Sequence, residues 1–280
     1  MTQVAVITGT SSGIGLSASV MLARSGFKVV ATMRNMKKRA LLEDRTAQLG
    51  VHVDIRHLDV RDKATVDDCI DSVIETYGRI DLLVNNAGGG FLGTVEQTPL
   101  ERLQRIMDTN FYGVWRVTQA VLPVMRQAGK GHIITVSSIG GLIGQPFNDA
   151  YCASKFAIEG FMESLAPVVK PLGIFVSLVE PGPVNTNFVE SARQAGSGMP
   201  VILEKEYAPL FKPYFKRVRQ EFESVGQTAD EVGEIIVQAA LASVPHFRYP
   251  TSALGHKIIS EKYVDPTGDS VISNTSRRLY

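Results

Sequence analysis

Cysteine is nearly absent from this chain. Only Cys69 and Cys152 occur in 280 residues, too few for a disulfide framework and without paired-ligand spacing. That usage suits a reducing compartment. No apolar run reaches the roughly 18 residues that a membrane span needs, and the first residues, MTQVAVITGT, lack the charged n-region of a signal peptide. The expectation is a cytoplasmic protein with no membrane span. An excess of one charge is lacking too: 29 basic against 28 acidic side chains leave a formal charge of +1. This removes the electrostatic case for a nucleic acid or an anionic surface as partner. His57 and His132 have no metal partner at useful spacing, so no metal site is expected. Neither an internal repeat nor a linker divides the chain, and residues 1–280 read as one domain.

What the chain does have is apolar content of 44%, ordinary for a globular protein with a large core. Short runs rich in valine and isoleucine lie at 4–8, 28–33, 51–60, 81–87, 131–138 and 174–182, most of them bounded by glycine or proline. Helix-length segments fall between them near 14–25, 36–48, 62–77, 99–128 and 151–171. Such alternation predicts an α/β fold: a Rossmann-like, doubly wound parallel sheet with helices on both faces. Ligands of such sheets bind at the carboxyl ends of the strands, near the switch in strand order. After Gly182 the pattern changes. Residues 190–200 read as a flexible loop, and Tyr207, Phe211, Phe215 and Phe222 then fall near helical spacing, with Tyr214 beside them. Thr228 and Glu231 form the capping box of a last helix, and 265–280 is a largely polar tail.

The first strand runs into TGTSSGIG and then into a helical pattern, so Gly9, Ser11, Ser12, Gly13, Ile14 and Gly15 form a strand–turn–helix junction. The glycines are not spaced G-x-G-x-x-G, but their place after a strand and at a helix start suits backbone N–H groups approaching a pyrophosphate. A plain tight turn is the alternative. The second strand ends in Met33 and Arg34, where an NAD site usually carries a carboxylate for the ribose 2′-hydroxyl. A guanidinium there pairs with a 2′-phosphate, so NADP(H) is the expected cofactor. Lys37, Lys38 and Arg39 read as a solvated helix start. Asp59 and Val60 close the third strand, where the adenine would lie.

Tyr151 and Lys155 share a helix face if YCASK is helical. Their spacing alone decides little, and their surroundings are more telling. TGTSSGIG, NNAG (85–88), YCASK and PGPVNT (181–186) occur in the order found in the classical short-chain dehydrogenase/reductase family, which the chain resembles over about residues 2–250. GLIGQPFNDAYCASKFAIEGFMESLA and DPTG (265–268) resemble its estradiol 17β-dehydrogenase and retinol dehydrogenase branch most. The resemblance implies a catalytic set of Asn110, Ser138, Tyr151 and Lys155. It places Asn86, Gly88, Pro181, Gly182, Val184 and Thr186 around the cofactor, with Tyr151 and Lys155 also touching it. Asn110 would bind a water beside the lysine at a break in its helix. Asn85 is expected to be structural, and Ser137 and Cys152 to point away from the site. Trp115 and Phe111 are expected on a packing face. The family also implies a homodimer or homotetramer built through helices 99–128 and 151–171.

Hydride transfer to a ketone leaves an alkoxide that must be protonated. A free tyrosine, with a pKa of about 10, is poorly matched to that task at neutral pH. A cation ~4 Å away is worth about 4 kcal/mol at an effective dielectric of ~20, roughly three pKa units. Lys155 is therefore expected to lower the Tyr151 pKa and to hold the nicotinamide ribose, while Ser138 orients the substrate oxygen. The resemblance implies a small hydrophobic substrate, steroid-, retinoid- or aromatic-like, with 188–225 as a substrate loop and lid. Where the steroid enzyme has a lid histidine, this chain has Arg217 in FKRVRQEF. Two other readings are a 3-oxoacyl-thioester reductase and a catalytically silent nucleotide sensor.

Overall fold

The computed structural model describes residues 2–186, 206–262 and 265–269. Seven strands form one parallel sheet: β1 (Val4–Thr8), β2 (Lys28–Met33), β3 (Val53–His57), β4 (Leu82–Asn85), β5 (Gly131–Val136), β6 (Ile174–Glu180) and β7 (Arg248–Pro250). Their spatial order is β3-β2-β1-β4-β5-β6-β7. The chain winds outwards from β1 to β3, returns to the centre, and winds the other way from β4. That reversal opens a crevice at the carboxyl ends of β1 and β4.

The connecting helices are α1 (Gly13–Arg24), α2 (Ala40–Gln48), α3 (Lys63–Tyr77), α4 (Leu100–Met107), α5 (Gly113–Ala128), α6 (Asp149–Val169), α7 (Ala208–Val225), α8 (Ala229–Leu241) and α9 (Ala253–Lys262). Successive strand residues point to opposite faces, and both faces are dry. Val4, Val6, Leu83 and Ile133 pack with α3, α5 and α6. Ala5, Ile7, Val84 and Ile134 pack with α1, α2 and α8. Strands covered on both sides must be apolar at almost every position, which is why they read as unbroken runs.

Several boundaries differ from the sequence expectation. The runs at 51–60, 81–87, 131–138 and 174–182 extend past their strands, because their last residues leave the sheet to build the crevice. The predicted helix 36–48 starts as a 3₁₀ turn, Met36–Lys38, whose cap Asn35 accepts a hydrogen bond from the Lys37 N–H at 3.1 Å. The seventh strand, β7, has no counterpart among the predicted runs: it is three residues long and contains an arginine and a proline. The capping box forms as expected, with Thr228 Oγ1 accepting from the Glu231 N–H at 3.1 Å. The predicted loop 190–200 lies outside the described residues. Among the described residues no helix is long and apolar enough to cross a membrane.

Candidate active site

The glycine turn is built by exclusion. Gly9 has φ +72°, and a Cβ there would stand 2.7 Å from the Ala87 Cα. A Cβ on Gly15 would meet Asn86 Nδ2 at 2.3 Å and the Gly9 carbonyl oxygen at 2.4 Å. Asn86 makes that closeness possible by donating to the carbonyls of Thr8 (2.9 Å) and Gly9 (3.0 Å). Thr8 Oγ1 in turn accepts from the N–H groups of Asn86 and Ala87, both at 3.0 Å. The helix start is open to an anion: Ser12 at its N-cap makes no side-chain cap, and the first turn holds no acid. Across the crevice Thr186 Cγ2 lies 3.4 Å from where a Gly13 Cβ would be. The PGPVNT segment thus reaches the turn, anchored by Ile139 N–H donating to the Pro181 carbonyl at 3.0 Å. Val184 is buried, and Gly182 packs against Ser252. The cradle fits a dinucleotide, with Ser11 and Ile14 in the same turn.

Where the adenine is expected, Arg34 is exposed, one residue past β2. Among the described residues its guanidinium has no ion-pair partner. Asp59 accepts from the Arg61 guanidinium at 3.0 and 2.7 Å and from the Arg61 backbone N–H at 3.0 Å. That pairing first, with a weaker contribution from Arg34, holds its carboxyl below the usual range. Val60 is buried against Gly113.

The four candidate catalytic residues converge from three places in the chain. Ser138 follows β5, and its Oγ accepts from the Gly140 N–H at 3.0 Å and pairs with Tyr151. Tyr151, in the first turn of α6, is 9% exposed, and Lys155 one turn on is 6% exposed. Lys155 Nζ donates to the Val136 carbonyl at 2.9 Å and stands 5.8 Å from the Tyr151 ring centroid. Asn110 is fully buried in a π-helical turn, Asp108–Tyr112, that joins α4 to α5. The predicted helix 99–128 is thus interrupted where the resemblance implied a break. Asn110 Oδ1 accepts from the Gly89 N–H at 2.8 Å, and Nδ2 donates to the Gly89 carbonyl and Ser154 Oγ, both at 3.0 Å. A Cβ on Gly88 would sit 3.4 Å from Asn110 Oδ1 and 3.8 Å from Lys155 Nζ, so Gly88 keeps open the space between them.

One electrostatic expectation is corrected. Burial pushes the Tyr151 phenol up to about 12, against the lowering hydrogen bond from Ser138. Burial also pulls Lys155 down to about 8. Desolvation penalises the charged form of each and is the largest influence on both.

The neighbours divide as expected, with one exception. Asn85 donates to Thr118 at 3.1 Å inside the core. Cys152 Sγ accepts from the Gln145 N–H at 3.4 Å, and burial raises its thiol pKa, leaving little reactive thiolate. Ser137 turns away from Ser138 to donate to Glu159. Phe111 packs against the core, but Trp115 is 45% exposed, stacked on Phe161 at 4.6 Å. Among the described residues no His, Cys, Asp or Glu cluster could hold a metal. His132 is buried at the Ser177 hydroxyl, and burial drives it to about pKa 3, so it is neutral.

Two features were not visible in the sequence. The first is an aromatic wall. Phe147 has φ 61°, the left-handed region that a bulky residue rarely adopts. Its ring meets Phe211 edge-on at 5.2 Å and Tyr214 at 5.5 Å, while Phe215 stacks on Phe211. Phe211 and Tyr214, from the middle of the 207–222 stripe, therefore pack α7 onto the segment just before Tyr151. The second is a buried ionic cluster behind Lys155: Arg248 pairs with Glu159 and Glu180, and at 3.1 Å with Glu163. Glu159 lies one turn from Lys155, a readable signal; nothing local marks Arg248 or Glu180.

Residues 3–196 match the model of the short chain dehydrogenase family. The chain is 38% identical to retinol dehydrogenase 8 of Bos taurus, covering 98% of this chain and 89% of that one. It is 38% identical to human 17-beta-hydroxysteroid dehydrogenase type 1, covering 99% and 86%. Among solved structures, a single-residue variant of actinorhodin polyketide ketoreductase with NADPH superposes with a TM-score of 0.74 at 30% identity, covering 89% and 96%. Other members of this fold have been solved with NADP or with NAD. The chain belongs to the classical short-chain dehydrogenase/reductase family, related to the branch of those retinol and hydroxysteroid enzymes, and is an oxidoreductase acting on CH–OH groups.

Proposed function

We propose that the protein interconverts a ketone or aldehyde and an alcohol on a bulky apolar substrate, using NADP(H). The observation that carries this reading is the convergence of Ser138, Tyr151, Lys155 and Asn110 beside the glycine cradle. When bound, the cofactor supplies the hydride in reduction and accepts it in oxidation. Ser138 and Tyr151 hold the substrate oxygen, and Tyr151 gives it a proton as the alkoxide forms. Lys155 and the remaining lone pair of Asn110 Oδ1 steady the proton's replacement from water. A phenol at about 12 is protonated at neutral pH, the state that reduction needs. Oxidation needs the phenolate and is expected to gain as pH rises.

Arg34 supports NADP(H), since its exposed guanidinium stands where a carboxylate would otherwise repel a 2′-phosphate. Arg34→Ala is expected to weaken NADPH binding about tenfold or more, one lost charge-assisted contact, while leaving NADH nearly unchanged. Equal losses for both would remove the phosphate role. The aromatic wall of Phe147, Phe211 and Tyr214 supports an apolar substrate and a lid role for α7; residues 188–205 of the expected lid lie outside the described ones. Arg217 is exposed on α7 and offers no substitute for the lid histidine of the steroid enzyme. Exposed Leu100, Tyr112 and Trp115 on the α4–α5 face support a homodimer or homotetramer.

The second reading is a 3-oxoacyl-thioester reductase, favoured by the polyketide ketoreductase likeness. The deciding experiment is a panel of steroid, retinoid and aromatic ketones beside acetoacetyl thioesters, each with NADPH and NADH. Turnover of the bulky ketones with NADPH is expected; preference for thioesters would install the second reading. Cofactor binding with no turnover of any substrate would favour a nucleotide sensor, which the presence of both Tyr151 and Lys155 argues against.

A further inference from the structure

The cluster behind Lys155 places unusual chemistry where the proposed reaction has no stated use for it. Glu159, Glu180 and Arg248 are all buried, and Glu180 is fully so. Arg248 Nη1 donates to both carboxylates, and Ser137 donates to the second oxygen of Glu159. Among the described residues Glu180 Oε2 has no hydrogen-bond partner. A buried carboxylate oxygen without a donor is a costly place for negative charge. Burial and the nearby Glu159 charge push Glu180 up to about 8, in agreement. Burial pushes the Glu159 carboxyl up as well, but both of its oxygens accept hydrogen bonds, one from Arg248 and one from Ser137, and these favour its charged form. The interior thus holds two cations, Lys155 and Arg248, with Glu159 ion-paired to Arg248 and one helical turn from Lys155, and with Glu163 at the rim, its side chain 36% exposed.

The cluster also ties together three segments of the site. Glu159 is one helical turn from Lys155 and bonds Ser137, the neighbour of Ser138. It packs against Gly141, where an added Cβ would lie 3.0 Å from its Cγ. Glu180 directly precedes the Pro181–Gly182 turn. We propose that Glu159 is a positioning residue of the reaction: it is the buried counter-charge that keeps Lys155 protonated and so sets the pH at which the Tyr151–Lys155 pair works. This rests on the catalytic reading of that pair.

The groups that face the pair from each packed element are few. Tyr151, Cys152, Glu159 and Glu163 lie on α6 itself, Glu180 on β6 and Arg248 on β7, and Cys152 is kept as a thiol by burial. The π turn contributes uncharged Asn110, since its Asp108 pairs with Arg116 at 2.7 Å. Beyond Arg248, Asp269 is engaged by His246 at 2.8 Å. Glu159 is thus the anion nearest Lys155 along the chain, and its charge is the influence that raises the lysine's pKa against burial.

The test is the pH profile of kcat/KM for ketone reduction in the intact protein, beside a phenolate absorbance titration read against Tyr151→Phe. Glu159→Gln removes the counter-charge, so Lys155 loses its proton at lower pH. The alkaline limb of the profile is expected to move down by about one pH unit or more, and Glu159→Asp to restore part of it. Ser137→Ala, a milder change that weakens the carboxylate form, is expected to shift the limb the same way by less, and carries the test if Glu159→Gln does not fold. Glu180→Gln mimics the protonated acid and is expected to leave the profile in place below about pH 8. A loss of the same factor at every pH with Glu159→Gln, without a moved limb, would overturn the proposal. So would an equal shift with Glu180→Gln. If Tyr151→Phe keeps full activity, the catalytic reading fails instead, which separates the two outcomes.

Discussion

Tyr151→Phe is expected to lower ketone reduction by a factor of about 10²–10⁴, the usual worth of a positioned proton donor, while NADPH binding stays within about twofold. The ring keeps its place in the cluster of Phe91, Ile106, Ala150 and Cys152, so only the hydroxyl is lost. That separation of turnover from binding follows from geometry. The hydroxyl pairs with Ser138, whereas the proposed pyrophosphate cradle is built by Gly9, Gly13, Gly15 and Asn86. Single-turnover kinetics with a fluorescence titration of NADPH would measure both. A variant that binds and reduces normally would remove Tyr151 from the chemistry.

Replacing Arg248 with methionine is expected to destabilise the fold by about 3–5 kcal/mol, the cost of leaving buried charge without its partner. Packing volume is nearly kept, so the loss is electrostatic, and its pH dependence identifies it. A carboxyl whose folded pKa is raised stabilises fully below its unfolded value. That contribution is lost as pH climbs through the folded value, here from 4.5 to about 8 for Glu180 in the intact protein. Without Arg248 the folded values of Glu159 and Glu180 rise further. The deficit of the variant is therefore largest at neutral and alkaline pH and shrinks under mild acid. Denaturant unfolding at several pH values would show this. A deficit that does not vary with pH would mean lost packing rather than uncompensated charge.

The fold was legible because a sheet covered on both faces must be apolar at nearly every strand position. Val4 and Val6 on one side and Ala5 and Ile7 on the other leave an unbroken run that few other structures produce. The same reasoning could not find β7, where Arg248 is buried only because Glu159 and Glu180 meet it from distant parts of the chain. Of the site, the groups on one local segment were readable: the glycine turn, and Tyr151 with Lys155 one helical turn apart. Asn110 was half readable, as a poor helix former inside a helical pattern. Its inward turn depends on Gly89 and Ser154, which the fold supplies. The Tyr151 pKa went the other way from expectation, because charge spacing can be read from sequence but desolvation cannot. The left-handed Phe147 and the aromatic wall on it were equally hidden, since a stripe at helical spacing does not say which surface it covers.

The most direct test follows NADPH absorbance with a bulky apolar ketone while the alcohol product is counted. One alcohol should form for each NADPH consumed, faster than with NADH, and the rate should collapse in Tyr151→Phe. NADPH bound tightly but left unoxidised across the whole substrate panel would contradict the proposed reaction.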